Sequence, residues 1–565
     1  MERIDLKLFR RFWAVSKPYW FSEEKLGART LLALVVFLLI AFNGLSLAYS
    51  YANRNLINEL TQKDISGFYH SLLLQLGLLI FFVPASVFYD YTKSKLGLYW
   101  RRWMTQSFLK KYFTNRAFYK IKYNKEIDNP DQRIAENIDS FIEECLSYSL
   151  QLLYNLGQLI AFIGVLWSIN QFLVVFVFVA AAFKTLFTIV IGKKLIKLNF
   201  NQLQFQANFR YSLVHVRDNS ESIAFYQGEE QELAAIHQKF ADVFKNYNAL
   251  IGWQRHLNFF TTGTSYIIPL APLFVLAPHF FSGHLDFGAI NQAIEAFTIV
   301  LDALSFIADS FQGISLFSAQ INRLSTFESA VSQATTAPAP EKPIIDVVED
   351  SRLALRRVTV ETPNYERTLV QDVSVEVPPG KGVIVVGPSG TGKSSLLRAI
   401  AGLWKAGTGC IVRPKPEEIL FLPQRPYMVM GSLRQQLLYP RTDFQVSDEV
   451  LQAALAEVNL SDLATRIGGF DVVLDWADVL SLGEQQRLAF ARLLLTHPLY
   501  AILDESTSAL DVENEQQLYQ LLKARQTTFI SVGHRPTLIQ YHDSILELQG
   551  QGKWQLIPVA DFELS

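Results

Sequence analysis

The run GPSGTGKSS, Gly387 to Ser395, sets three glycines, a lysine and several hydroxyls directly after the apolar stretch GVIVV. A helical pattern, LLRAIAGLW, follows at once, so the spacing GxxxxGK[ST] stands in the strand–loop–helix setting it requires. Glycines let a backbone wrap phosphate oxygens with its N–H groups turned inward. A lysine placed like Lys393 reaches the β- and γ-phosphates, and a hydroxyl like that of Ser394 ligates Mg²⁺. Gly387, Pro388, Ser389, Gly390, Thr391, Gly392, Lys393, Ser394 and Ser395 are therefore the candidate nucleotide-binding loop, with ATP and Mg²⁺ the expected cofactors. Downstream, LYAILDE ends an apolar strand on Asp504 and Glu505. A carboxylate pair at that edge suits metal and water handling, Asp504 towards Mg²⁺ and Glu505 towards the attacking water. In FISVGHRP, His534 ends another strand where Glu505 and Lys393 converge, and a γ-phosphate contact is expected of it. Lys393, Glu505 and His534 are the candidate catalytic residues. Gln424, in FLPQRPY, joins Ser394 and Asp504 as a candidate contact to Mg²⁺ or water.

A second stretch, VLSLGEQQRLAFARLLL, runs from small and polar residues straight into an amphipathic helix. The start of a helix presents free N–H groups and a positive dipole end, so Ser481, Gly483 and Glu484 mark a second anion site.

The elements around these motifs are short β-like runs (VSVEV, GVIVVG, YAILDE, TTFISVG) alternating with amphipathic helices. That alternation predicts an α/β domain with a mainly parallel sheet. Before it, from Ala334, ATTAPAPEKPIIDVVED has the Pro, Ala and charge content of a linker.

The chain's 565 residues exceed one core. Half the residues are apolar and the net charge is only −2, which excludes the basic footprint of a nucleic-acid binder. Cys145 and Cys410 stand far apart without CxxC or histidine-rich surroundings, so neither a disulfide framework nor a zinc site is expected. MERIDLKLFRRFW lacks the short apolar core and small-residue site of a removable signal peptide. Six segments reach the roughly 20 mostly apolar residues that a membrane span needs. They lie near 29–50, 71–92, 146–168, 171–194, 257–281 and 293–318, the third and fourth joined by a tight turn at Ser168–Gln171. Lys and Arg crowd the segments after spans two (KSKLGLYWRRWMTQSFLKKYF) and four (KKLIKLN), which places both termini in the cytoplasm. The cytoplasmic connections, about 93–145 and 195–256, are helical in pattern, broken by Gly or Pro at Asn129-Pro130, and suit levers between the membrane and a domain below it. The expected layout is a cytoplasmic segment over 1–28, a six-helix membrane domain over 29–330, a linker over 331–348 and an ATPase domain over 349–565.

Taken in order and spacing, GPSGTGKSS, Gln424, LSLGE, LYAILDE, SALD and His534 resemble the ATPase of ABC transporters. Six spans followed by one such domain look like a half-transporter of the exporter type. EIDNPDQRIAENIDSF and FRYSLVHVRDNSESIAFYQGEEQE resemble subfamily D, the peroxisomal acyl-CoA and lysosomal cobalamin branch, and its bacterial fused permease–ATPase relatives, which are akin to peptide and cobalamin uptake proteins. The resemblance implies that the signature loop faces the phosphate loop of a second ATPase domain, so that Ser481 and the Gly483 N–H close over the partner's γ-phosphate. One ATPase domain per chain then makes a two-fold homodimer the simplest closed arrangement. Two positions depart from the family pattern. Leu482 stands where the signature's third residue is usually glycine, and Thr362-Pro363 stand where an aromatic normally stacks on adenine, leaving Tyr365 as the candidate.

Three classes of function compete: an ATP-driven transporter, a non-transporting ABC ATPase, and a channel, regulator or proton-driven permease with an accessory ATPase domain. The six spans argue against the second, and intact Lys393, Glu505 and His534 against the third. The expected solute is amphipathic or cofactor-sized, an acyl conjugate, a cobalamin-like molecule or a peptide. Asp302 and Asp309, seven apart in span six, share nearly one helix face, and either pair with a basic residue at the cytoplasmic mouth or form a polar stripe in the translocation cavity. Pro269, Pro272 and Pro278 are expected to kink span five. Lipid surrounds the chain on this reading, in a bacterial inner membrane or, in a eukaryote, an organellar one.

Overall fold

The computed structural model describes residues 6–121, 127, 130–335, 343–441, 445–533 and 535–561. Asn129, residues 336–342 of the expected linker, and His534 lie outside them. Two compact units divide the chain, Met1–Pro338 and Ala339–Ser565.

In the first unit, six described helices are long and apolar enough to cross a membrane, as the hydropathy predicts: Lys25–Gln62, Ile65–Ile121, Pro130–Ile169, Gln171–Asp218, Glu229–Phe281 and Phe287–Ile307. The turn between the third and fourth forms because Asn170 adopts an extended backbone (φ −159°) and its Oδ1 accepts from the N–H groups of Phe172 (2.9 Å) and Leu173 (3.3 Å). Several helices outrun the bilayer. Ile65–Phe113 has 49 residues, about 74 Å at 1.5 Å per residue, against a hydrocarbon core of about 30 Å. In the fifth, the long helix ends at Ile267 and a 3₁₀ turn at Ile268–Leu270, holding Pro269, leads into Ala271–Phe281.

The sixth span starts earlier than the apolar count suggests. Its helix runs Phe287–Asp309, and a separate one, Phe311–Thr335, follows Ser310. Ala293, Ala296, Phe297, Val300 and Leu301 recur at helical spacing and pack with Val177, Ala180 and Ala181 of the fourth span. Asn291 and Gln292 hide the earlier start from a hydropathy count, and Glu295 interrupts the apolar run further in. Yet Gln292 is only 1 % exposed, and Glu295 accepts a 2.8 Å hydrogen bond from Ser50 of the first span.

The second unit holds strands β1 (Asp346–Glu349), β2 (Leu353–Glu361), β3 (Thr368–Val377), β4 (Gly382–Val386), β5 (Gly407–Arg413) and β6 (Ile419–Leu422). After a two-residue pair, β7 (Gly431–Ser432) and β8 (Val473–Leu474), come β9 (Tyr500–Asp504), β10 (Thr528–Val532), β11 (Ser544–Gly550) and β12 (Lys553–Pro558). The larger sheet has the order β12-β11-β4-β10-β9-β6, parallel except for β12. The smaller runs β1-β5-β2-β3. Strand alternation builds both layers of core from β4 alone: Val383 and Val385 join one apolar cluster, and Ile384 the other. All four central strands thereby end on one edge of the sheet, where the chemistry-bearing loops begin.

Behind the sheet, His542 is 3 % exposed, with Nε2 2.5 Å from the Ser531 hydroxyl and Nδ1 2.7 Å from the Leu538 carbonyl. Burial pushes its pKa down from 6.5 to about 4. A folded value below the unfolded one means stability is full above pH 6.5 and falls as pH drops towards 4. About 2 kcal/mol should be lost by pH 5. Thermal unfolding between pH 7.5 and 5 checks this: the midpoint of the transition assigned to this domain should drop in the native protein and drop less in His542→Gln. Parallel slopes would remove His542 as the cause.

Candidate functional site

The loop after β4 bends through three left-handed glycines, Gly387 (φ +141°), Gly390 (+80°) and Gly392 (+101°). Two of these cannot carry a side chain. A Cβ on Gly387 would run into the Leu548 carbonyl, and one on Gly392 would lie 2.9 Å from the Leu369 Cβ. Thr391 Oγ1 donates to the Pro388 carbonyl (2.9 Å) and tightens the bend, while Gly387, Pro388, Ser389, Gly390 and Gly392 supply backbone. Lys393 opens the helix Lys393–Ile400, and its Nζ folds back to donate to the carbonyls of Gly387 (2.7 Å) and Pro388 (3.0 Å). Burial pulls the Lys393 pKa down, while Glu505 and Asp504 act the other way.

Opposite the loop stands the end of β9. Ser394 Oγ donates to Asp504 Oδ1 at 3.1 Å, joining two hard oxygen donors of the kind Mg²⁺ takes. Burial raises the Asp504 pKa; the Ser394 hydrogen bond works against that, and Glu505 adds to it. Glu505 itself has a left-handed backbone (φ +48°), with its N–H held by the Val532 carbonyl (3.1 Å). Gln424 Nε2 donates to Glu505 Oε2 at 2.9 Å. Lys393, Ser394, Gln424, Asp504 and Glu505 are thus gathered at one sheet edge from three separate stretches of chain. A loop with three left-handed glycines, a lysine and this oxygen pair fit a nucleoside triphosphate and Mg²⁺.

Gln486 escapes a motif search. It is fully buried, donates to the Gln424 carbonyl (2.9 Å) and to Ser508 Oγ (3.3 Å), and accepts from the Ala509 N–H (3.0 Å). Its signal was available: Gln486 shares a helix face with Phe490 and Leu493, and a polar group on an apolar face needs partners. Glu515, also buried, accepts from Thr507 Oγ1 (2.7 Å) and Arg535 Nη1 (3.4 Å), and Arg535 also donates to the Leu510 carbonyl (2.8 Å). These contacts hold the Ser506–Asp511 loop after Glu505.

Ser481 does not join that cluster. It caps the helix Leu482–Thr496 in a reciprocal box: Glu484 N–H donates to Ser481 Oγ (3.3 Å), and Ser481 N–H donates to Glu484 Oε2 (2.9 Å). Arg466 Nη2 holds the other Glu484 oxygen at 2.6 Å. Burial works to raise the Glu484 pKa, and the hydrogen bonds from Arg466 and Ser481 outweigh it. Gly483 packs near the Ala509 carbonyl. Tyr365 lies at the turn between β2 and β3 with its hydroxyl donating to the Pro343 carbonyl (3.0 Å).

A phosphate-loop α/β unit carried behind six membrane-spanning helices defines a membrane protein powered by nucleotide hydrolysis. Family comparison agrees: the model for ABC transporter transmembrane region 2 matches residues 17–281, and that for ABC transporter matches 370–508. An uncharacterised ABC transporter ATP-binding protein of Synechocystis is 45 % identical over 94 % of this chain and 81 % of its own. ABC transporter D family member 2, chloroplastic, of Arabidopsis thaliana is 39 % identical over 96 % and 86 %. The human lysosomal cobalamin transporter ABCD4 is 30 % identical over 99 % and 97 %. A bacterial Atm1-family ABC exporter solved with ATP bound shares the fold at TM-score 0.76 and 19 % identity, covering 94 % of this chain and 96 % of that one. The chain belongs to the ABC transporter family and is of the D subfamily type. It is an integral membrane protein whose cytoplasmic ATPase domain hydrolyses ATP, with Mg²⁺, to drive transport.

Proposed function

We propose that this chain works as a homodimer that moves an amphipathic or cofactor-sized solute, with each ATP held between the phosphate loop of one copy and the signature loop of the other. The juxtaposition of Lys393, Ser394, Asp504, Glu505 and Gln424 at one sheet edge is the observation that carries the nucleotide assignments. Backbone N–H groups of Gly387–Ser395 cradle phosphates, and Lys393 exchanges its two carbonyl partners for phosphate oxygens. Ser394 and Asp504 hold Mg²⁺, with Gln424 as a further contact. Mg²⁺, when bound, neutralises charge on the phosphates. Glu505 takes the proton of the attacking water, and Gln424 steadies that carboxylate. His534 contacts the γ-phosphate, and Tyr365 stacks on adenine.

Self-complementary assembly supports the dimer reading: Ser481 and Glu484 lie outside the chain's own cluster, and a two-fold interface completes two sites at once. The solute class rests on relatives, among them one named as a lysosomal cobalamin transporter and another as a D family member. Purified protein in lipid vesicles tests the whole reading. ATP turnover should rise with an amphipathic or cofactor-sized solute, and that solute should cross the vesicle membrane in an ATP-dependent way. A response to inorganic ions alone would overturn the solute class.

A further inference from the structure

The fourth and sixth spans meet at a polar junction that the ATPase chemistry does not use. Lys184 follows Gln171, where its helix begins, by 13 residues, which puts it about 20 Å along the helix from that end. Its side chain is 5 % exposed, and Nζ donates to Asp309 Oδ2 at 3.0 Å. Asp309 is 41 % exposed, and Asp302, one face-repeat earlier on the same helix, is exposed as well. Lys184 acts electrostatically on both carboxylates.

Two further groups mark the junction as more than an ion pair. Ser305 sits three residues after Asp302 and four before Asp309, on their side of the helix, and is 0 % exposed. Thr188 sits one turn beyond Lys184 and is 6 % exposed. Neither hydroxyl has a hydrogen-bond partner among the described residues. A buried hydroxyl without a partner costs free energy, and carboxylates at such depth are normally turned to water or to a partner. The junction adjoins the buried apolar core of Val177, Ala180, Ala181, Phe297, Val300 and Leu301.

We propose that this junction is a solute subsite for the positively charged group of an amphipathic molecule. The charges decide the sign. One ammonium faces two carboxylates, and the ammonium is the buried member, so what a solute can reach is net negative. A cationic head would dock on Asp302 and the open side of Asp309. Lys184 is then a built-in competitor that keeps Asp309 neutralised when no solute is present. This rests on the transport reading above and narrows its solutes to those with a positive group.

The test uses the full-length protein in lipid nanodiscs with three twelve-carbon probes, dodecyltrimethylammonium, dodecanol and dodecanoate. Basal ATP turnover without probe reads the transport ATPase by itself, so its absence would count against that reading and not this one. With basal turnover present, the cationic probe should stimulate and the other two should not. Asp302→Asn should raise the half-maximal concentration at least tenfold, and Lys184→Met should lower it several-fold. Lys184→Arg, which keeps the charge, should behave as the native protein and guards against misfolding of the methionine variant. Equal stimulation by all three probes, stimulation by dodecanoate that Lys184→Met abolishes, or an unchanged response in Asp302→Asn would overturn the subsite.

Discussion

Glu505→Gln should reduce ATP turnover by about 10²- to 10⁴-fold while leaving nucleotide affinity within a few-fold of native. The substitution is close to isosteric, and the amide oxygen can still accept from Gln424 Nε2, which lies 2.9 Å from the carboxylate. The left-handed backbone at this residue (φ +48°) is equally accessible to either side chain. What disappears is the group that takes a proton from water. Phosphate release and binding of a fluorescent ATP analogue, measured on the same preparation, separate the two effects. The variant should also accumulate with its ATPase domains closed on unhydrolysed ATP, visible as a cross-linkable dimer. Native turnover in this variant would remove Glu505 from the chemistry.

Mixing two inactive variants should restore activity. Lys393→Ala removes the lysine of the phosphate loop, and Ser481→Arg places bulk and positive charge at the signature. If each site draws its loop from one chain and its signature from the other, every homodimer has two damaged sites. A heterodimer concentrates both lesions in one site and leaves its second site intact. Turnover should therefore return towards half the native value in heterodimers isolated through two different affinity tags. Losing the Ser481 cap weakens the start of its helix by about 1 kcal/mol, too little to unfold the domain. Background activity in verified heterodimers would argue against a working site shared across chains.

The parts of this molecule legible in its sequence are those written in contiguous residues. The six spans follow from runs of apolar residues, and the α/β fold from strands alternating with helices. The glycine positions follow from a loop whose backbone must turn left-handed three times. Contacts between distant stretches left weaker traces. The pairing of Lys184 with Asp309 joins two helices 125 residues apart, and acidic spacing alone could only suggest that some basic residue pairs with that face. Gln486 tying Gln424 to the Ser508–Ala509 loop could be suspected from its place on an apolar face, but its partners could not. Hydropathy starts the sixth span too late because Gln292, in its first turns, counts as polar although it is buried. An amino-acid type records what a group costs to bury, and only the fold records who meets it.

The folded-back Lys393 has a consequence for what happens after catalysis. Its ammonium rests on two main-chain carbonyls, at 2.7 and 3.0 Å, from the loop it belongs to. On the proposed assignment, departing ADP leaves the Lys393 ammonium with acceptors in reach and so strands no cation. The exit is a swap of phosphate oxygens for peptide oxygens, each a hydrogen-bond acceptor.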